Sequence, residues 1–210
     1  MTTPVTIDSC AWNFFFDNRF DLSVELPPDK FSLFITREVE IELLQIPDIS
    51  KDGVDKLPLK QFIRSSIDQH KVETTCVFGF AEANEPDEPA RYGGFDQCTF
   101  ESDIEQTWRQ REETQRCLRQ VQAKPRKDTA LRKNEADVSL AVASMACVLI
   151  TVDEKKGAPA RKKGPIYDAA INGGFVVFVQ DVESSGLALA DQIERKFAVV
   201  GGALQRRSAV

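Results

Sequence analysis

Two kinds of apolar run alternate along the chain. Short unbroken runs occur at residues 4–7, 31–36, 148–152 and 175–179, rich in Val, Ile and Phe. Runs of this kind read as strands buried on both faces, as in a parallel sheet. Between them, apolar positions recur with the helical period. Val138, Ala141, Val142 and Met145 fall at i, i+3, i+4 and i+7, Leu59, Phe62, Ile63 and Ile67 share one side, and Leu189, Ile193 and Phe197 lie one turn apart. The predicted order is a first strand to residue 8, an apolar helix around 12–16, a strand at 31–36 and a helix from 37 that ends before Pro47. A loop at 49–58, a helix at 59–70 and a strand-like stretch at 72–80 follow. Ser102 and Glu105 form a capping box that opens a helix through about residue 121. Asn134 is the expected N-cap of a helix that runs into the strand at 148–152. A short helix at 166–171, a strand at 175–179, a final helix at 187–199 and a loose tail at 201–207 complete the chain.

Strands alternating with helices predict an α/β fold, a three-layer α/β/α arrangement around a mainly parallel sheet. At 210 residues the chain is read as a single domain, 1–210, with an elaborated middle at about 45–132 and a loop at 154–165. The 83–94 stretch, acidic and bearing Pro and Gly, is expected to be an exposed, mobile loop. Trp12, Phe14, Phe15 and Phe16 are expected to be plain core under the sheet edge rather than a surface for stacking bases.

Polar residues punctuate the ends of these elements. Asp8 closes the first strand and Asp153 the strand at 148–152; Asp137 lies in the first turn of a helix, and Glu38 and Glu42 lie on the helix after the second strand. Ligands in open α/β sheets bind at the C-terminal edge of the strands. Carboxylates gathered there repel one another unless a cation neutralises them, and hard cations such as Mg²⁺ and Mn²⁺ take carboxylate oxygens. Each such Asp taken singly has a plainer explanation in capping or turn formation.

These residues resemble the PIN-domain nucleases. The matching pieces are Ile7-Asp8-Ser9, Val39-Glu40-Ile41-Glu42-Leu43, Ala136-Asp137 and Ile150-Thr151-Val152-Asp153, the last with its preceding helix being the most specific. The spacing after Val39, with Leu43 following, selects Glu42 over Glu38 and Glu40. The resemblance covers roughly residues 1–45 and 133–181. It implies a PIN-like fold with an acidic site at the C-terminal edge of the strands. Asp8, Glu42, Asp137 and Asp153 would be catalytic and hold Mg²⁺ or Mn²⁺, and Ser9 and Thr151 would support them. It further implies a metal-dependent endoribonuclease cutting phosphodiester bonds with a metal-activated water, RNA rather than DNA as the commoner substrate, and a toxin or defence role. An antitoxin or other protein partner and a homodimer belong to the same expectation. The alternative is a PIN-like module that binds RNA or a protein without cutting. A haloacid-dehalogenase-type phosphotransferase would need an Asp-x-Asp that Asp8-Ser9-Cys10 lacks.

The formal net charge is −6, which alone speaks against a nucleic-acid partner. The distribution changes that picture, because residues 101–163 hold 14 Lys and Arg against 10 Asp and Glu. Lys155, Lys156, Arg161, Lys162 and Lys163 lie among Gly and Pro just after Asp153 and are the expected substrate contacts. The helix carrying Arg109, Arg111, Arg116 and Arg119 either faces a phosphate backbone or is merely solvated. Five scattered cysteines without a Cys-x-x-Cys argue against a disulfide framework or structural zinc. One histidine, His70, gives Ser-His-Asp or Cys-His catalysis no support. No long apolar run or signal peptide is visible, so a cytoplasmic protein without membrane association is expected.

Overall fold

The structure is a computed structural model. It describes residues 2–76, 101–120, 131, 134–153 and 164–207, the side chains of 119, 120, 183 and 199–207 excepted. Five strands form one sheet in the order β3-β2-β1-β4-β5, every neighbouring pair parallel. They are β1 (Thr3–Ile7), β2 (Phe31–Thr36), β3 (Glu73–Thr75), β4 (Val148–Thr151) and β5 (Val176–Phe178). Val5 is opposite Leu33 of β2 on one side and Val148 of β4 on the other. The chain winds outward from β1 to β3, then returns to the far side of β1 for β4 and β5. The winding direction therefore reverses between β1 and β4, the place where an open α/β sheet leaves a crevice at its strand ends. The expectation of an α/β fold is met: the sheet is all-parallel and has helices on both faces.

Two parallel strands cannot be joined by a tight turn, so helices make the connections. Helices α1 (Ser9–Asp17) and α2 (Leu22–Glu25) lead from β1 to β2; α3 (Arg37–Leu44) and α4 (Leu57–His70) lead from β2 to β3. Before β4 come α5 (Asp103–Gln110), α6 (Glu112–Gln120) and α7 (Glu135–Ala143). After it come α8 (Gly164–Ile171), α9 (Val179–Ser185) and α10 (Leu189–Arg207). Strand side chains alternate between faces. Ile35 on one face lines a cavity together with Leu43 of α3 and Ile63 and Ile67 of α4. Thr6 and Phe34 on the other look across a cavity at Ser139 and Val142 of α7.

The main core joins the sheet to α1, with Trp12 and Phe15 fully buried. Their rings meet edge to face at 6.1 Å between centroids, and Trp12 meets Phe62 of α4 at 6.5 Å. Trp12 and Phe15 are thus core, while Phe14 and Phe16 are half-buried and pack against it. The predicted face Val138, Ala141, Val142 and Met145 forms a second cluster with Trp108 of α5 and Ala169 of α8. Among the described residues no helix is long and apolar enough to cross a membrane.

Three expectations need correction. The helix from the capping box is real at its start, where Ser102 and Glu105 satisfy each other's backbone, but it breaks at Arg111. That residue is extended, with φ −57° and ψ 143°. Its guanidinium lies 3.9 Å from the centre of the Trp108 ring and 3.4 Å from Asp168 of α8. Tertiary anchoring of one long side chain has overridden helix propensity. Second, the last helix does not end near 199: α10 runs to Arg207. Its two glycines, each worth about 1 kcal/mol against helix, are outweighed by Ala, Leu, Gln and Arg that follow. Third, two short helices were not foreseen. In α2, Asp21 caps by accepting from the Ser23 amide at 2.9 Å, and α9 ends in a left-handed Gly186 with φ 65°. The predicted loop at 83–94 and the end of the 72–80 stretch lie outside the described residues, as does the loop at 154–165 except for Gly164 and Pro165, which open α8.

The link from α8 to β5 depends on Gly174. A Cβ there would stand 2.7 Å from Ser144 Oγ and 2.9 Å from the Ala169 carbonyl oxygen. The Ala169 oxygen is backbone and already accepts from the Gly174 amide at 2.8 Å, so it cannot move aside cheaply. Gly174→Ala is expected to cost about 1–3 kcal/mol, as overpacking does. At about 2–4 °C per kcal/mol for a chain of this size, thermal melting checks it; an unchanged midpoint would contradict the tight fit.

Candidate active site

The site is built at the ends of β1 and β4. The Asp8 amide donates to the Ile150 carbonyl at 3.0 Å, which fixes the backbone of Asp8 against β4. Asp8 stands at the N-cap position of α1, yet its carboxylate makes no capping bond. It is turned towards β4 instead. Thr151 Oγ1 donates to Asp8 Oδ2 at 2.6 Å, and the Cys10 thiol donates to the same oxygen at 2.9 Å. The residue is only 6% exposed. The buried carboxylate is thus satisfied by side-chain donors from two segments and links the end of β1 to β4 rather than the first turn of α1.

Ser9 extends the site to α3. Its Oγ lies 2.7 Å from Glu42 Oε2 and 3.3 Å from Asp8 Oδ1, so one proton is shared between two carboxylates, chiefly with Glu42. Glu42 reaches this point because Thr36 caps α3, accepting from the Val39 amide at 3.3 Å. This puts the helix start at the end of β2, beside β1. Thr151 extends the site the other way: its Oγ1 accepts from the Asp153 amide at 3.0 Å. One hydroxyl therefore connects Asp8 to the turn that carries Asp153. Both residues are half-buried or more.

Asp137 is in the first turn of α7, where a carboxylate suits the helix dipole. Burial raises the Cys117 thiol of α6 above its ordinary range, opposed by the Arg116 charge and with smaller contributions from Asp168 and Asp137. Asn134 precedes this helix in a left-handed conformation, φ 62°, and its side chain does not cap. The N-terminal end of α7 meets α3 through Ala136, which packs with Ile41 and Leu131. Among the described residues, no three His, Cys, Asp or Glu side chains are grouped closely enough to hold a metal ion. The chemistry of the donor set still suits a hard cation: Asp8 and Glu42 present carboxylate oxygens to one shared hydroxyl, Ser9 and Thr151 add hydroxyl oxygens, and the Cys10 thiol beside Asp8 stays protonated.

Cys10 was not read from the sequence as part of the site. Burial, with the Asp8 charge beside it, pushes the thiol up to about 12, so it stays protonated and serves as a donor. The only hint in the sequence was its place two residues after Asp8. Lys155, Lys156, Arg161, Lys162 and Lys163 lie outside the described residues. Two of the predicted basic-helix residues are engaged internally, Arg109 with Glu101 and Arg111 with Asp168.

Set against protein-family models, curated proteins and solved structures, the chain finds no significant match in any of the three.

A cavity of about 240 Å³ lies apart from this site, between the sheet and α5 and α7. Thr6, Thr36, Glu38, Arg109, Ser139 and Cys147 are among its walls; Asp8, Glu42 and Asp153 are not. Burial raises the Glu38 carboxyl above its ordinary range, against smaller opposing effects of a Ser139 hydrogen bond and the Arg109 charge; Glu135 adds to the rise. A carboxyl raised by folding binds more protons in the folded state, so stability falls as pH climbs above the unfolded value. Glu38→Gln is therefore expected to raise the melting temperature by a few °C at about pH 7, with the gain shrinking towards about pH 4. Melting curves across that range check it, and a gain independent of pH would contradict it.

Proposed function

We propose that the chain is a metal-dependent endoribonuclease of the PIN-like kind, with Asp8, Glu42, Asp137 and Asp153 as its acidic set. The observation that carries this is the carboxylate of Asp8. It occupies a helix-capping position, does not cap, and is held by Thr151 and Cys10 at the crevice between β1 and β4. The order of acidic residues along the chain supports the same reading. Mg²⁺ or Mn²⁺ bound there supplies charge neutralisation and an activated water for attack on a phosphodiester.

The protein's own part is to fix the ligands. Thr151 holds Asp8 with its proton and the Asp153 amide with its lone pair. Ser9 keeps Glu42 and Asp8 facing one another through a single hydrogen. Two carboxylates facing one hydroxyl are the kind of oxygen donor set that a divalent cation takes. Basic residues at 155–163 would then receive the RNA backbone. A toxin or defence role, with an antitoxin or second copy as partner, is the setting that the resemblance suggests.

The test is cleavage of labelled single-stranded RNA, structured RNA and DNA, with Mn²⁺, Mg²⁺ or EDTA, comparing wild type with Asp153→Asn. Metal-dependent cutting of RNA that the substitution abolishes is the expected result. A wild type that binds RNA but neither binds Mn²⁺ nor cuts any substrate would leave the non-catalytic module as the function.

A further inference from the structure

Gln180 has no place in the acidic set, yet it touches the same turn. It is the second residue of α9, directly after β5, the neighbour of β4. Its Nε2 donates to the Val152 carbonyl at 2.6 Å. The Val152 amide, at the other end of the residue, donates to Cys10 Sγ at 3.3 Å. Val152 is thus gripped at both its N–H and its C=O, and it is the residue immediately before Asp153.

The other end of the amide is informative. Gln180 Oε1 is buried with no hydrogen-bond partner among the described residues. A buried acceptor left unsatisfied costs on the order of 1–3 kcal/mol, and an apolar side chain of the same shape would avoid that cost. The bond that Gln180 is seen to make is through its donor, to the Val152 carbonyl. The thiol does two things as well: it donates to Asp8 Oδ2 and accepts from Val152. A continuous path therefore runs from Asp8 through Cys10 and Val152 to Gln180.

We propose that Gln180 and Cys10 are positioning residues that clamp Val152 from two sides and so set the Asp153 carboxylate relative to Asp8. The inference rests on the nuclease reading. The clamp acts through Val152 and touches neither metal nor substrate. It explains how a carboxylate on a turn beyond the end of β4 is held without a helix or strand of its own.

Gln180→Leu, Gln180→Glu, Cys10→Ala and Cys10→Ser test it, with Mn²⁺ titration calorimetry, steady-state cleavage kinetics, thermal melting, and exchange of the Val152 and Asp153 amides in metal-free protein. Loss of an outer partner of metal ligands lowers affinity or activity by about 10–100-fold. Gln180→Leu and Cys10→Ala are expected to lose kcat in that range, with KM within about twofold, since mispositioning removes transition-state stabilisation. Melting should stay within a few °C, and the two amides should exchange faster. Cys10→Ser, whose hydroxyl donates and accepts, should recover most of the loss. Gln180→Glu keeps the shape but opposes a carboxylate to the Val152 carbonyl, so it should match Gln180→Leu even if the latter folds poorly. Variants that melt lower but keep wild-type kcat and Mn²⁺ affinity would reduce the clamp to packing and overturn the proposal, while wild-type cleavage leaves the nuclease standing. A wild type that neither binds Mn²⁺ nor cuts removes the nuclease, and the clamp's purpose with it.

Discussion

Asp8→Asn should abolish Mn²⁺ binding and cleavage while leaving the fold intact. Asn keeps the size of Asp and one oxygen able to accept from Thr151 and Cys10, so packing at the end of β1 is preserved. What it removes is the negative charge that a hard cation needs. The loss should exceed the 10–100-fold typical of an outer partner. Asp21→Asn supplies the control. Asp21 is an ordinary cap, accepting from the Ser23 amide, and Asn caps as well as Asp; it should leave melting, metal binding and cleavage unchanged. If both substitutions were silent, Asp8 would be another structural aspartate. Calorimetric titration with Mn²⁺ beside a cleavage assay makes the distinction.

Trp12→Ala should be the most damaging single change to stability, at about 3–5 kcal/mol. Trp12 is wholly buried, and its ring contacts tie α1 to α4 through Phe62 and to Phe15 on its own helix. Truncation leaves a large void among parts that cannot collapse together, because Asp8 at the start of α1 is also bonded to β4. For a domain with about 5–15 kcal/mol of total stability, this removes a large share. Trp12→Phe should cost far less. It keeps the aromatic contacts and removes Nε1, a buried donor with no partner among the described residues, whose burial is itself unfavourable. Denaturant unfolding of the two variants gives the comparison. A Phe variant as unstable as the Ala variant would mean that the indole fits in some way the ring contacts do not capture.

Residues that act through apolar pattern were legible in the sequence. The β-branched run at 148–152 announced β4, and the spacing of Val138, Ala141, Val142 and Met145 announced the face of α7 that packs on Trp108. Local chemistry was legible too: the Ser102 and Glu105 capping box needs only residues three apart. Asp8 and Asp153 could be singled out because each marks the end of an apolar strand run, and Thr151 only through the resemblance of Ile150-Thr151-Val152-Asp153. What could not be read were long-range contacts of single side chains. Arg111 breaks a helix because of Trp108 and, far along the chain, Asp168. Gln180 reaches Val152 across 28 positions, and nothing in the local pattern around either residue signals it. Cys10 looked like one of several scattered thiols until its sulfur was seen between Asp8 and Val152.

The pairing of Val5 with Val148 has a consequence for the order in which the protein comes into being. During synthesis β1 can pair with β2, and β2 with β3, early, but the other edge of β1 stays bare until β4 emerges, and a bare edge strand invites pairing with other chains. Closing so long a loop is entropically slow compared with local contacts. Asp8 and Glu42 are therefore made well before Thr151 and Asp153, and the crevice has only one wall until β4 docks. On the proposed nuclease function, a nascent chain of this architecture cannot cut RNA before β4 docks, and truncation before residue 148 should yield an aggregation-prone half rather than a weak enzyme.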